Sequence, residues 1–333
     1  MTPPSTSPNE ETETAEAVPS KKITQRPFFR ALIWLGVVGF VILLGWLLGD
    51  YRGGFYQLPL GAWVNTGVDW LIVNWAVFFD IIKDVTAAVL NNLEKFLLWL
   101  PWWSVLLLMI LLAWRLAGSR IAIFTGAAMY FIGMLGLWDL SMSTLALIAT
   151  AVLISVVLGI PVGILCAHSD HVDAIVRPIL DAMQTMPAFV YLIPALMFFG
   201  IGKVPGVMAT VIFALPPAVR LTNLGIRQVP VELVEAAHAF GSTSSQLLFK
   251  VQLPMALPSI MAGINQTIML ALSMVVLAAM IAAGGLGREV FMALGQVDIG
   301  RGFVAGTAII LIAMVLDRVT QSLGKVRRRA KAA

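Results

Sequence analysis

The sequence predicts an all-α, polytopic membrane protein, and three observations carry that expectation. Hydrophobic residues make up 59% of the 333 residues and charged residues only 12%, against about 25% charged in an average soluble domain. Mean hydropathy is +0.90. Apolar runs recur along the chain with short polar stretches between them. A hydrocarbon core takes roughly 20 helical residues per crossing, so about eight spans fit and no sizeable soluble domain is left over. Lipid offers no partner to a free N–H or C=O, which favours helices that satisfy their own backbone. Cys166 is the one cysteine, so an intramolecular disulfide and a cysteine-rich metal site are both excluded.

Taken in order, residues 1–30 open with Glu10, Glu11, Glu13 and Glu16 and continue into Lys21, Lys22, Arg26 and Arg30. They hold too little apolar surface to fold and read as a disordered cytoplasmic tail. Residues 31–48 are the first transmembrane anchor. A signal peptide is the competing reading, but Leu47-Leu48-Gly49-Asp50 offers no small-residue cleavage site. Residues 49–100 turn amphipathic: Val64, Val68, Leu71, Trp75, Phe78 and Ile82 share one face, and Val85, Val89, Leu93, Phe96 and Leu100 form a second stripe. They read as extracytoplasmic helices in the interface, with Trp63, Trp70, Trp75, Trp99, Trp102 and Trp103 at headgroup level. A buried span pair is the alternative, at the cost of placing Lys83, Asp84, Glu94 and Lys95 in lipid.

Residues 101–321 carry the remaining spans, expected at Trp103–Ala117, Ile121–Trp138, Ser143–Ala167, Pro187–Gly202, Val207–Leu221, Ala262–Ala283 and Phe303–Gln321. Residues 322–333 form a basic cytoplasmic tail. With both termini in the cytoplasm, fifteen Lys/Arg fall inside and six outside, the bias that orients membrane proteins. That puts residues 229–258 in the cytosol.

The 229–258 stretch is a polar island between apolar runs. Pro230 suits a first helical turn, where its missing N–H costs nothing. Leu233, Ala237 and Phe240 recur at i, i+4, i+7, and Gly241 is the natural stop. Thr243 and Gln246 have capping-box spacing and start a second short helix, with Leu247, Leu248 and Val251 as its apolar edge. Pro254 and Pro258 mark the return to the membrane. The result is a helix–turn–helix knob.

No residue pattern supports catalysis. Gly200-Ile201-Gly202-Lys203 lacks phosphate-loop spacing, and neither His-Glu-x2-His nor Gly-x-Ser-x-Gly occurs. Gly284-Gly285-Leu286-Gly287 reads as a turn between spans, with gating as the alternative. His168 and His171 with Asp170 and Asp173 fit a solvated loop, and no fourth firm metal ligand accompanies them. Polar groups inside apolar segments are the better clue, because they are costly and need partners. Asp181, Gln184 and Thr185 precede Pro187, and Asn265, Gln266, Thr267 and Ser273 open a later span. With Tyr191 they are candidates for a translocation path or a seam between two copies. Interhelical hydrogen bonding is the competing explanation for each.

One motif carries a family resemblance. Glu235-Ala236-Ala237, three residues, Gly241, nine residues, Val251, one residue and Leu253-Pro254 resemble the EAA loop of ABC-importer permeases, with Val251 in place of isoleucine. Leu180–Pro194, Phe213–Pro217 and Asn265–Met274 resemble the ProW-type permeases of glycine betaine/proline betaine importers, and the likeness covers roughly residues 60–320. The resemblance implies a type I (MetI-like) ABC permease bundle in a bacterial inner membrane. It implies that Glu235, Ala236, Ala237, Gly241, Val251, Leu253 and Pro254 couple to a separate ATPase subunit. ATP and magnesium would then sit on that partner, and this chain would hold no cofactor. An extracytoplasmic substrate-binding protein and a second copy of the chain complete the implied assembly, in contact with lipid and without nucleic acid. Choline, carnitine and histidine are alternative solutes; a stand-alone secondary transporter or channel is the remote alternative.

Overall fold

The computed structural model describes residues 27–47 and 59–330, with side chains for 34–47 and 59–322. The acidic tail before Pro27, residues 48–58 and the basic side chains after Ser322 lie outside the described residues. Among the described residues every regular element is helical. The chain divides into two units, residues 1–65 and 66–333. The first holds α1 (Pro27–Leu47) and the opening residues of α2 (Leu60–Asn74). From Trp34 to Leu47 every side chain of α1 is exposed, and nearly all are apolar.

The second unit is built around α9 (Lys203–Arg227), which lies between α6 (Trp138–His168) and α12 (Leu253–Ala279). Small residues set both crossings. A Cβ at Gly159 would stand 2.8 Å from Ala218 Cβ, and one at Gly163 would stand 2.6 Å from Thr222 Cβ. A Gly-x3-Gly stripe brings helix backbones this close, and close backbones gain dispersion where lipid supplies no hydrophobic drive. On the other side Gly263 meets Pro217 O at 3.0 Å by the same measure. Around this trio sit α4 (Trp102–Ala117), α5 (Ser119–Met134) and α14 (Ile299–Ala330).

Among the described residues, four helices are long and apolar enough to cross a membrane unaided, and two bent pairs qualify if each is one span. The first pair joins α3 (Ala76–Trp99) to α4 through a 106° bend at Leu100-Pro101. The second joins α7 (Asp170–Thr185) to the short α8 (Leu192–Phe199) through a 110° bend. This alters the expected span at Pro187–Gly202. Pro187, Pro194 and Gly200 restrict it to one 3₁₀ turn and the eight residues of α8, about 12 Å of helix and too short to cross without α7. The stretch before it, expected to be a solvated loop, is a helix capped by Ser169, whose Oγ accepts from Val172 N at 3.4 Å. Its apolar face, Val172, Val176, Leu180 and Met183, packs with Cys166 and Val219. That i, i+4, i+8, i+11 signal was present in the sequence.

Candidate coupling surface and translocation path

The Glu235 knob begins at α10 (Val231–Ala239), which buries none of its residues. Gly241, at φ +74°, closes it: Gly241 N donates to His238 O at 2.9 Å and Ser242 N to Ala237 O at 3.0 Å. These paired bonds are a Schellman stop, and a left-handed residue is what the motif requires. The expected capping box is present, with Gln246 N donating to Thr243 Oγ1 at 3.3 Å and Thr243 N to Gln246 Oε1 at 3.0 Å. It opens α11 (Ser244–Leu247). Glu235, Ala236 and Gly241 are exposed, and Ala237, Val251, Leu253 and Pro254 are half-buried. Phe240, 89% exposed, projects from the tip, with Val231, Leu233 and Phe249 also uncovered.

The second half of the knob differs from the expected separate helix. α11 runs through a π-turn, Leu248–Gln252, straight into α12, so one helical rod extends from Ser244 to Ala279. Pro254 supplies the physical reason. It lacks an N–H and its ring would strike the carbonyl four residues back, and a widened turn relieves that clash. Leu253 N accordingly donates to Leu248 O, five residues back. The knob therefore joins a bundle helix without a flexible joint on that side.

The candidate path residues are only partly brought together. Asp181 is ion-paired with Arg220 of α9. Around that pair, Asp170 meets Arg227 at 2.7 Å, and Asp173 meets Arg177 at 2.6 Å and Asn223 Nδ2 at 2.7 Å. Arg227 also donates to Cys166 O at 2.7 Å, so this network clamps α7 across the ends of α6 and α9. His168 Nδ1 lies 2.8 Å from Ile164 O, and the aspartates are engaged by arginines, an arrangement suited to a clamp. Gln184 and Thr185 stay exposed at the end of α7, the latter donating to Ala182 O at 3.2 Å. Tyr191 is buried, and its hydroxyl donates to Met183 O.

Asn265 faces the other way. Its Nδ2 donates to Asp317 Oδ1 at 3.1 Å, and its Oδ1 accepts from Thr320 Oγ1 at 2.6 Å, tying α12 to α14. Thr267 is fully buried with no hydrogen-bond partner for its hydroxyl. Gln266 and Ser273, a heptad apart, share an exposed face of α12 with Met269 between them. Ser273 Oγ donates to Leu270 O at 2.7 Å. Of the candidates, Gln266 and Ser273 thus present polar groups on an uncovered helix face.

Sequence reasoning missed the partners of Glu94. Lys203 Nζ reaches both oxygens of Glu94 at 2.6 Å, and Ser143 Oγ donates to the same carboxylate at 2.6 Å. Glu94 is thereby buried between α3, α6 and α9. The Glu94-Lys95 pair within an apolar stripe and Lys203 between apolar runs were the available signal. The turn expected at Gly284-Gly285-Leu286-Gly287 is present and leads into α13 (Gly285–Gln296): Gly284 and Gly285 have φ +81° and +66°, and Leu286 N donates to Thr144 Oγ1 at 2.8 Å. Both features lie at the end of the bundle opposite the knob.

Comparison with known proteins agrees with this geometry. The profile of the family described as "Binding-protein-dependent transport system inner membrane component" matches residues 159–329. The glycine betaine/proline betaine transport system permease protein ProW of Escherichia coli (strain K12) is 48% identical over 271 residues, 81% of this chain and 77% of that protein. The glycine betaine transport system permease protein OpuAB of Bacillus subtilis (strain 168) is 51% identical over 277 residues, 83% of this chain and 97% of that protein. The glycine betaine/carnitine transport permease protein GbuB of Listeria monocytogenes serotype 1/2a (strain 10403S) is 51% identical over 272 residues, 80% and 96% of the two chains. With its helical bundle and apolar spans, this chain belongs to the binding-protein-dependent transport system inner membrane component family, as a permease.

Proposed function

We propose that this chain is the transmembrane permease subunit of an ABC importer for glycine betaine and proline betaine, with uptake driven by a separate ATPase subunit. The observation that carries the reading is the 48–51% identity to glycine betaine permeases over four-fifths of the chain. ATP and magnesium belong to the ATPase, and this chain itself does no catalysis. A binding protein delivers solute at the Glu94–Lys203 end, and both termini lie in the cytoplasm with the knob. The chain works as two copies, and the Gln266–Ser273 face of α12 is the surface we assign to the path between them. Uptake of this solute class serves osmoprotection.

The coupling role rests on the shape of the knob. Glu235, Ala236, Ala237 and Gly241 form an exposed apolar-tipped element that seats in the ATPase, and Val251, Leu253 and Pro254 join it to α12. Because the rod from Ser244 to Ala279 is continuous, a displacement of the knob by ATP-driven closure moves α12 directly. Reconstitution tests the whole reading. Proteoliposomes holding permease, ATPase and binding protein should take up labelled glycine betaine only with ATP on the ATPase side. Equal uptake by the permease alone without ATP would overturn it, and preferential competition by choline, carnitine or histidine would reassign the solute.

A further inference from the structure

At the end opposite the knob, the start of α4, the end of α5 and the start of α6 border an open-mouthed cavity of about 390 Å³ lined by Trp102, Met129, Tyr130, Gly133, Met134 and Trp138. Its construction is specific. Gly136, at φ +71°, reverses the chain after α5, with Gly136 N donating to Gly133 O at 3.0 Å and Leu137 N to Ile132 O at 3.3 Å. That stop returns Trp138 over the last turn of α5. A Cβ at residue 133 would stand 3.8 Å from Trp138 Cε3, so the glycine keeps a side chain off that edge of the half-buried indole. Met129 closes the floor, fully buried, while Trp102 and Tyr130 are 53% and 55% exposed and form the mouth.

We infer that this cavity is a binding site for a quaternary ammonium group. No lining residue carries a charge, and three aromatic rings from three different helices supply what a cation without N–H groups can use, the negative face of a π system. Two thioethers add polarisable surface. A primary ammonium or a sodium ion would give up its hydration there with few acceptors in return. A trimethylammonium head loses no hydrogen bonds on entry. The volume lies in the small-ligand range of about 300–1,000 Å³. The ligand class rests on the proposed function, because betaines and carnitine carry this head; the cavity stands independently of it. A free solute and a choline lipid headgroup share the chemistry.

Saturation-transfer NMR on the full chain in phosphatidylethanolamine/phosphatidylglycerol nanodiscs tests the site. Tetramethylammonium and glycine betaine should each receive saturation and displace one another, and methylammonium at the same concentration should do neither. Gly133→Leu fills the cavity and improves helix propensity, and it should weaken tetramethylammonium binding at least tenfold at an unchanged melting temperature. Trp138→Leu should also weaken binding by removing a ring, with a lower melting temperature because Trp138 packs against the core. Unaltered binding in Gly133→Leu, equal competition by methylammonium or no tetramethylammonium binding to the wild type would overturn the inference. Doping the nanodiscs with phosphatidylcholine separates the sources: displacement assigns the site to a lipid head, and no displacement assigns it to free solute. Glycine betaine uptake by the assembled transporter is scored separately, so tetramethylammonium binding without uptake sinks the transport reading and leaves the site standing.

Discussion

Gly241 offers the sharpest test of the coupling surface, because its environment isolates a single physical effect. Its φ of +74° lies in the left-handed region, yet a Cβ built there meets nothing within 4 Å. Gly241→Ala therefore carries no packing cost, only the backbone cost of a left-handed L-residue, about 1–2 kcal/mol. If the residue instead relaxes to negative φ, the two bonds that close α10 are lost and the Phe240 tip is re-aimed. Either way the docking-competent knob loses about 5–30-fold in population. Asparagine tolerates this region better than alanine, so Gly241→Asn should recover most of the loss. The assay is the affinity of the purified permease for its ATPase, together with solute imported per ATP hydrolysed. Alanine should weaken both while the permease keeps its melting temperature, and Gly241→Asp should uncouple hydrolysis from uptake. Wild-type coupling in Gly241→Ala, or equal impairment by alanine and asparagine, would refute the reasoning.

Three further outcomes follow from the packing. Gly163→Ala places a methyl group 2.6 Å from Thr222 Cβ and 2.7 Å from Val219 O, an overpacking cost of about 1–3 kcal/mol that detergent melting should read directly. Glu94→Gln weakens a charge-assisted cluster and should cost about 2 kcal/mol; adding Lys203→Met should restore part of it, since no lysine charge is then left without its carboxylate. Loss of stability that is the same in the single and double variants would argue against a coupled pair. Asn265→Ala should lower melting by about 1 kcal/mol through its lost bonds to α14 and leave solute selectivity unchanged; a selectivity change would return Asn265 to the path.

Much of the knob was legible beforehand because its determinants are local. Gly241 and the Thr243–Gln246 box act over three to five residues, so their chemistry is written side by side in the chain. The π-turn was not read, although Pro254 was in view, because the choice between breaking and widening a helix depends on what α12 gains by staying continuous against α9. α7 was hidden differently: its polar face is dense in Asp and Arg, which reads as a loop until α9 supplies the matching charges.

The amino-acid sequence alone determined the membrane class, the helical content and the local stops and caps, since hydropathy and backbone hydrogen bonding act over single segments. The tertiary structure decided which polar groups are spoken for. Glu94 and Lys203 lie 109 residues apart, and Asn265 and Asp317 lie 52 apart. No local rule joins them. Their pairing is fixed by helix crossings, those around α9 at contacts such as Gly159, Gly163 and Gly263, where the absence of a side chain lets two backbones come close enough to choose their neighbours.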